Sequence, residues 1–184
     1  QAIWDGIGAD GNYQIELEAI DRAGNRAVTE VGVILDNTPP TARVDLPIAS
    51  GFVGSTWELV GTASDANFTR LEVDLASSGS PSSWDRVAAD TSAVVDGVIA
   101  NLLSPEPDGA YIVRLRVTDA AGLSSEAFRD IQVDTVPPSA PLALTAQKLA
   151  TRDVKLTWSA SISPDLHHYR VFRDAAAVFD TPGP

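Results

Sequence analysis

Apolar and polar side chains alternate along almost the whole chain. Tyr13, Ile15, Leu17 and Ala19 are separated by Gln14, Glu16 and Glu18, the period-two signature of a strand with one buried face. Val31, Val33 and Leu35 continue the pattern after a turn. Further on, Trp57, Leu59, Gly61 and Ala63 alternate with Glu58, Val60 and Thr62, and Leu71, Val73 and Leu75 with Glu72 and Asp74. Ala42 to Leu46 opens this middle stretch. A Ser/Gly/Pro run between Ala76 and Ser83 reads as a loop, and a weaker β-rich stretch spans Ala93 to Leu103. No segment sustains a 3.6-residue apolar period. With turn signals every ten or so residues, the expected fold is an all-β antiparallel sandwich.

The pattern repeats itself. Asp10-Gly11-Asn12-Tyr13 recurs as Asp108-Gly109-Ala110-Tyr111, an offset of 108 − 10 = 98. Asp21-Arg22-Ala23-Gly24 recurs as Asp119-Ala120-Ala121-Gly122, and Leu35-Asp36 before Pro39-Pro40 recurs as Val133-Asp134 before Pro137-Pro138. The tyrosine strand keeps its phase, with Val113, Leu115 and Val117 inward. A period near a hundred suits a whole β-domain in tandem rather than a solenoid turn. Each tyrosine strand is entered by Asp-Gly and left through Asp-x-Ala-Gly, both turn-forming. In the second copy Phe128 and Arg129 break the phase of the following strand, and a β-bulge there would account for it. The division expected from the repeat is residues 1–40 as the last part of one domain, 41–138 as a complete one, and 139–184 as the start of a third. The chain contains no methionine and reads as an internal piece of a longer protein.

These residues carry a resemblance. Asp-Gly-x-Tyr, an alternating strand, Asp-x-Ala-Gly, a second strand, then a Pro-Pro linker resembles the end of a bacterial immunoglobulin-like repeat, over residues 10–40 and 108–138. Leu59-Val60-Gly61-Thr62-Ala63-Ser64-Asp65 is similar to its second strand, and Trp4-Asp5-Gly6 to a segment preceding the tyrosine strand in relatives of the flagellar hook-capping domain. Tyr13 and Tyr111 take the place of the tyrosine corner. Ile15 and Val113 stand where antibody domains have a cysteine, and Leu71 where they have a tryptophan, so the resemblance is to the disulfide-free type. From Ser139 onward, Val154-Lys155-Leu156-Thr157-Trp158 and Asp165-Leu166-His167-His168-Tyr169-Arg170-Val171-Phe172-Arg173 resemble the first half of a fibronectin type III domain, which implies core places for Trp158, Tyr169 and Val171. The implied architecture is a rod-like array of tandem immunoglobulin-like and fibronectin type III β-sandwiches, truncated at both ends.

The net charge is −12 over 184 residues, and residues 45–139 carry 14 acids against 5 bases. That argues against nucleic acid or an anionic membrane as partner. No apolar stretch reaches signal-peptide or membrane-span length, so membrane insertion is not expected. There is no cysteine, which excludes disulfides and thiol chemistry. The two histidines, His167 and His168, are adjacent on an expected strand and should point to opposite faces. No phosphate loop, zinc spacing or EF-hand loop occurs, and the chain is expected to be non-catalytic with no cofactor. Asn67-Phe68-Thr69 matches a glycosylation acceptor, a short motif frequent by chance.

One constellation follows from topology. In an immunoglobulin-type sandwich the chain leaves at the pole opposite the B–C and F–G loops. Asp10 and Asp36 should therefore meet Asp65, Asn67 and Asp119 at the first junction. At the second, Asp108 and Asp134 should meet Asp165. Three or four oxygen donors per junction make each a candidate calcium site, and Asp36-Asn37-Thr38-Pro39 resembles the calcium-binding linker of cadherins. Turn-forming Asx residues account for the same letters without an ion. The linkers Thr38-Pro39-Pro40 and Val136-Pro137-Pro138 fix φ and favour semi-rigid stacking. The functional expectation is a non-catalytic structural or adhesive spacer of a large extracellular or cell-surface bacterial protein. The alternative is an accessory region of a secreted multidomain enzyme or YD-repeat-type toxin whose catalytic part lies elsewhere. The partner expected in either case is the remainder of the same polypeptide, with any protein or carbohydrate ligand held outside this segment. Carbohydrate binding within it would need exposed aromatics; the candidates, Trp4 and Trp84, are expected instead to be core or edge packing residues.

Overall fold

The computed structural model describes residues 3, 8–79, 81, 83–151 and 153–183. The Trp4-Asp5-Gly6 segment lies outside the described residues. Every regular element among them is a strand, and no helix is long and apolar enough to cross a membrane. The chain forms two compact units, Gln1–Thr135 and Val136–Pro184.

The first unit opens with a hairpin, β1 (Gly11–Ile20) and β2 (Arg26–Leu35), paired without interruption from Gly11↔Leu35 to Ile20↔Arg26. It continues through β3 (Thr41–Leu46), β4 (Gly51–Val53), β5 (Thr56–Ser64), β6 (Phe68–Ser77), β7 (Asp85–Asp90), β8 (Val94–Leu103), β9 (Gly109–Asp119) and β10 (Ser124–Val133). These build a three-stranded sheet, β3-β5-β8, and a five-stranded sheet, β4-β10-β9-β6-β7, in which β4 runs parallel to β10. The inward alternates of both sheets meet in one core. Leu59, Leu71, Val73, Val113, Leu115, Val117 and Val133 are fully buried, with Val44, Trp57 and Ile131 beside them. That is the sandwich expected from the alternation, with Leu71 in the core as expected.

Two residues of this sandwich need particular chemistry. Gly61 faces the bulge between Val44 and Leu46, where a Cβ would sit 2.0 Å from the Arg43 carbonyl oxygen. The neighbour is backbone, so only glycine lets β3 and β5 approach this closely. Asp74, only 2% exposed, lies on the outer face of β6 and accepts from Arg86 Nε at 3.0 Å and Arg114 Nη2 at 2.9 Å. Glu72 pairs with Arg86 beside it. Burying a carboxylate is tolerated because it is paired and hydrogen-bonded. Trp84 closes the outer face, with the Arg114 guanidinium 4.4 Å from its ring and Phe128 stacked obliquely against it. Trp84 is thus half-buried, packed between Arg114 and Phe128.

The bulge expected near Phe128 does not exist. β9 and β10 pair in unbroken register from Ser124↔Thr118 to Val133↔Gly109. Arg129 simply occupies an inward position, and its guanidinium donates to the Val44 carbonyl of β3. Phe128 keeps its outward phase and joins Trp84. A long cation near the rim of a core can reach neighbouring backbone with its head group, so the polar letter conceals a regular strand, although the Arg129 Nε stays buried without a hydrogen-bond partner.

The second unit contains two hairpins, β11 (Leu142–Lys148) with β12 (Val154–Ser159), and β13 (His168–Arg173) with β14 (Ala176–Pro182). Trp158 packs edge-on against Tyr169 at 5.3 Å, and the Tyr169 hydroxyl accepts from the Ser161 amide. Leu144, Trp158, Leu166 and Phe172 line an open groove between the hairpins.

A junction of turns and carboxylates

The two repeated hairpins share their local chemistry. Tyr13 Oη donates to the Ala9 carbonyl at 2.6 Å, and Tyr111 Oη to the Pro107 carbonyl at 2.7 Å, each four residues back. Both are tyrosine corners. Asp10 accepts from the Asn37 amide and the Thr38 hydroxyl, while Asp108 accepts from the Thr135 amide and hydroxyl. In each copy, then, the aspartate at the start of the tyrosine strand clamps the exit linker. The hydroxyl of Thr38, followed by the Asn37 amide, holds the Asp10 carboxyl below the usual carboxylate range.

The hairpin turns also match, with one difference. Asp21 Oδ1 accepts from the amides of Ala23 and Asn25, and the Asn25 carboxamide donates to Oδ2 at 2.7 Å. Those bonds, the Asn25 side chain first, depress the Asp21 carboxyl below its ordinary value. In the second copy the turn is again closed by a positive-φ glycine, Gly122 for Gly24, and Asp119 Oδ1 accepts from the Leu123 amide at 2.8 Å. Leucine has no donor to replace the Asn25 carboxamide. Asp119 is 3% exposed, and its Oδ2 is buried without a hydrogen-bond partner.

Beside the Asp119 carboxyl group the fold assembles two more carboxylates. Asp36 follows β2 in the linker, Asp65 sits in the β5–β6 turn, and Asp119 ends β9. One oxygen from each lies within 4.8 Å of the other two. The β5–β6 turn forms because Asp65 Oδ1 accepts from the Asn67 amide at 2.7 Å, while Asn67 Nδ2 donates to Asp36 Oδ2 at 2.7 Å. The Ala120 amide donates to the Asn67 carbonyl, tying this turn to the end of β9. Like charges this close repel one another unless a cation lies between them. Among the described residues no lysine or arginine forms an ion pair with any of the three.

Of the five residues expected at the first junction, the structure brings together Asp36, Asp65 and Asp119, with Asn67 bridging the first two. Asp10 lines the same groove, but both its oxygens are taken by Asn37 and Thr38. The second expected group divides between the units: Asp108 and Asp134 belong to the first, and Asp165 lies on an exposed turn of the second. Asn67, the possible glycan acceptor, has its carboxamide engaged by Asp36. The histidines depart from expectation. His167 Nδ1 and His168 Nδ1 are 2.8 Å apart and their rings meet edge-on. Only His168 belongs to β13, so strand alternation does not separate them.

Sandwich, corner and turns together define an all-β protein with a sandwich of the immunoglobulin-like or fibronectin type III kind. No protein-family model and no curated protein matches the chain. Among solved structures it is similar to the crystal structure of the FN1–FN3 domains of chicken CNTN1, with a TM-score of 0.50 and 14% identity. The match covers 91% of this chain, which spans 62% of that one. At that identity the likeness concerns the fold.

Proposed function

We propose that the chain is a non-catalytic structural or adhesive spacer, a string of β-sandwich modules within a large extracellular or cell-surface bacterial protein. The observation that carries this reading is the contrast between its two hairpins. They share register, tyrosine corner and linker clamp, yet differ in what covers them. Leu115 is fully buried in the sandwich, and its equivalent Leu17 is 68% exposed. Val113 is buried and Ile15 half-exposed, while Val31, paired with Ile15 on the same face, is largely exposed. A two-stranded sheet with an open apolar face is only marginally stable in water. The β1–β2 hairpin is therefore read as the closing strands of another sandwich, joined through Thr38-Pro39-Pro40 to the next. The Asp-Gly-x-Tyr and Asp-x-Ala-Gly signatures are what favour a bacterial immunoglobulin-like array.

A spacer acts through length and stiffness, which gives a direct test. Deleting Thr41–Pro138 from the parent protein removes one repeat and joins Pro40 to Ser139 in the same linker context. Ligand binding or catalysis by the rest of the parent, measured in solution, should be unchanged, whereas adhesion or presentation at a surface should fall with the lost reach. Loss of the solution activity in a shortened protein that remains folded by circular dichroism would overturn the spacer reading.

A further inference from the structure

We propose that Asp36, Asp65 and Asp119 bind one calcium ion, which ties the β1–β2 hairpin and its linker to the following sandwich. The proposal does not depend on the spacer reading; it rests on the geometry of the three carboxylates. A cluster of acidic turn residues would not suffice, because Asx-turns explain such residues without an ion. Asp119 is what separates the two cases. The turn uses only its Oδ1, as it does the Oδ1 of Asp21. In the first hairpin the Asn25 side chain takes the second oxygen, but in the second hairpin Leu123 leaves it buried and unpartnered, on a carboxyl group that has two other carboxylates beside it. A buried polar atom without a partner is costly, and an ionised one beside like charges more so. A single water would satisfy the hydrogen bond without offsetting the charge. One divalent cation does both.

The ligand chemistry selects the ion. Every donor is a carboxylate oxygen, with no imidazole or thiolate, which suits a hard cation rather than zinc or copper. Ligands about 2.4 Å from a calcium ion can stand up to about 4.8 Å apart, and the three oxygens lie within 4.8 Å of one another, so a calcium shell fits them. Calcium also accepts a partly hydrated, irregular shell, whereas magnesium demands near-ideal octahedral geometry. Two of the three carboxylates are only half-buried, so waters can complete the shell, and Asp65 and Asp119 come from the β5–β6 and β9–β10 turns that the sandwich already fixes. Asp36 arrives from the other side of the linker. Filling the site would therefore make the linker part of a cross-link.

The test uses the whole chain, freed of metal by a chelator and titrated calorimetrically with calcium chloride, with magnesium chloride in parallel. Calcium should bind at this site and raise the melting temperature by several degrees, while equal magnesium does markedly less. D65N and D119N keep the turn-closing Oδ1 acceptor but remove a charge. Each should weaken calcium binding by at least about tenfold, whereas D85N, on the exposed strand β7, should leave it unchanged. Without calcium, D65N should melt at or above wild type, since it relieves repulsion; a purely structural aspartate would show a loss instead. Absence of binding heat and of any melting shift at about 10 mM calcium, in a chain folded by circular dichroism, would overturn the proposal. So would binding that survives undiminished in both D65N and D119N, or an apo D65N that is less stable than wild type.

Discussion

Leu115 and Leu17 occupy the same place in two copies of one hairpin, so truncating each in turn isolates the effect of what covers them. Leu→Ala removes three carbons, worth about 2.4 kcal/mol of transfer free energy when fully buried, at about 0.8 kcal/mol per methylene. Leu115 is fully buried between two sheets, so the cavity left behind adds to that, for a total of about 3–5 kcal/mol. Leu17 is 68% exposed and keeps about a third of the transfer term, roughly 0.8 kcal/mol. Urea unfolding followed by far-ultraviolet circular dichroism and tryptophan fluorescence reads both. With a slope of about 1.5 kcal/mol per molar, L115A should lower the midpoint by about 2 M or more, and L17A by about 0.5 M or less. Equal losses would mean that the β1 face is covered in solution within this chain, and the contrast drawn between the hairpins would fail.

Gly61→Ala should destabilise the sandwich by at least about 2 kcal/mol, because the new methyl meets the Arg43 carbonyl and backbone cannot step aside; a urea midpoint within error of wild type would show that β3 and β5 can separate at little cost. The Asp21 turn predicts a pH dependence with a definite sign. Its folded carboxyl is depressed by Asn25 and the turn amides, so its stabilisation is complete above the unfolded carboxylate value, near pH 4, and is lost as pH falls through the depressed value. The stability gap between wild type and D21A should therefore be widest at neutral pH and close in acid. A gap that widens on acidification would contradict the assignment.

Much of this fold is written in the alternation. β1, β5, β6 and β9 present the apolar positions that the sequence presents, and the tyrosine corners and linker clamps follow from letters repeated 98 residues apart. The grouping of Asp36, Asp65 and Asp119 was legible from topology, because the B–C and F–G turns of one sandwich must face the exit strand of whatever precedes it. Other features depend on long-range partners and leave weaker traces. Arg129 looked like a broken strand because its acceptor, Val44, is 85 residues away. Glu72 and Asp74 read as solvent-facing, yet Arg86, Arg114 and Trp84 cover them from β7, β9 and the loop between β6 and β7. Strand β4 is only three residues long, too short for any periodicity to register. The orphaned oxygen of Asp119 did have a signal: Leu123 stands where the first copy has Asn25. Aligning the copies for their difference, rather than their identity, would have found it.

The central claim is that β1–β2 and β9–β10 are the same closing hairpin of the same kind of sandwich. A chimera tests it most directly: Thr41–Pro107 followed by Asp10–Pro40, with Thr41–Pro138 as the parent. The exchange replaces Val113, Leu115, Val117, Ile131 and Val133 by Ile15, Leu17, Ala19, Val33 and Leu35. The gains and losses nearly cancel, leaving the core about one carbon smaller, a change such cores tolerate. The chimera should unfold in a single cooperative urea transition, with amide exchange in the Tyr13 strand slowed to the level of the Tyr111 strand in the parent. If the parent is folded and the chimera is not, or if the Tyr13 strand still exchanges freely, the two hairpins are not interchangeable and the tandem-module account is wrong.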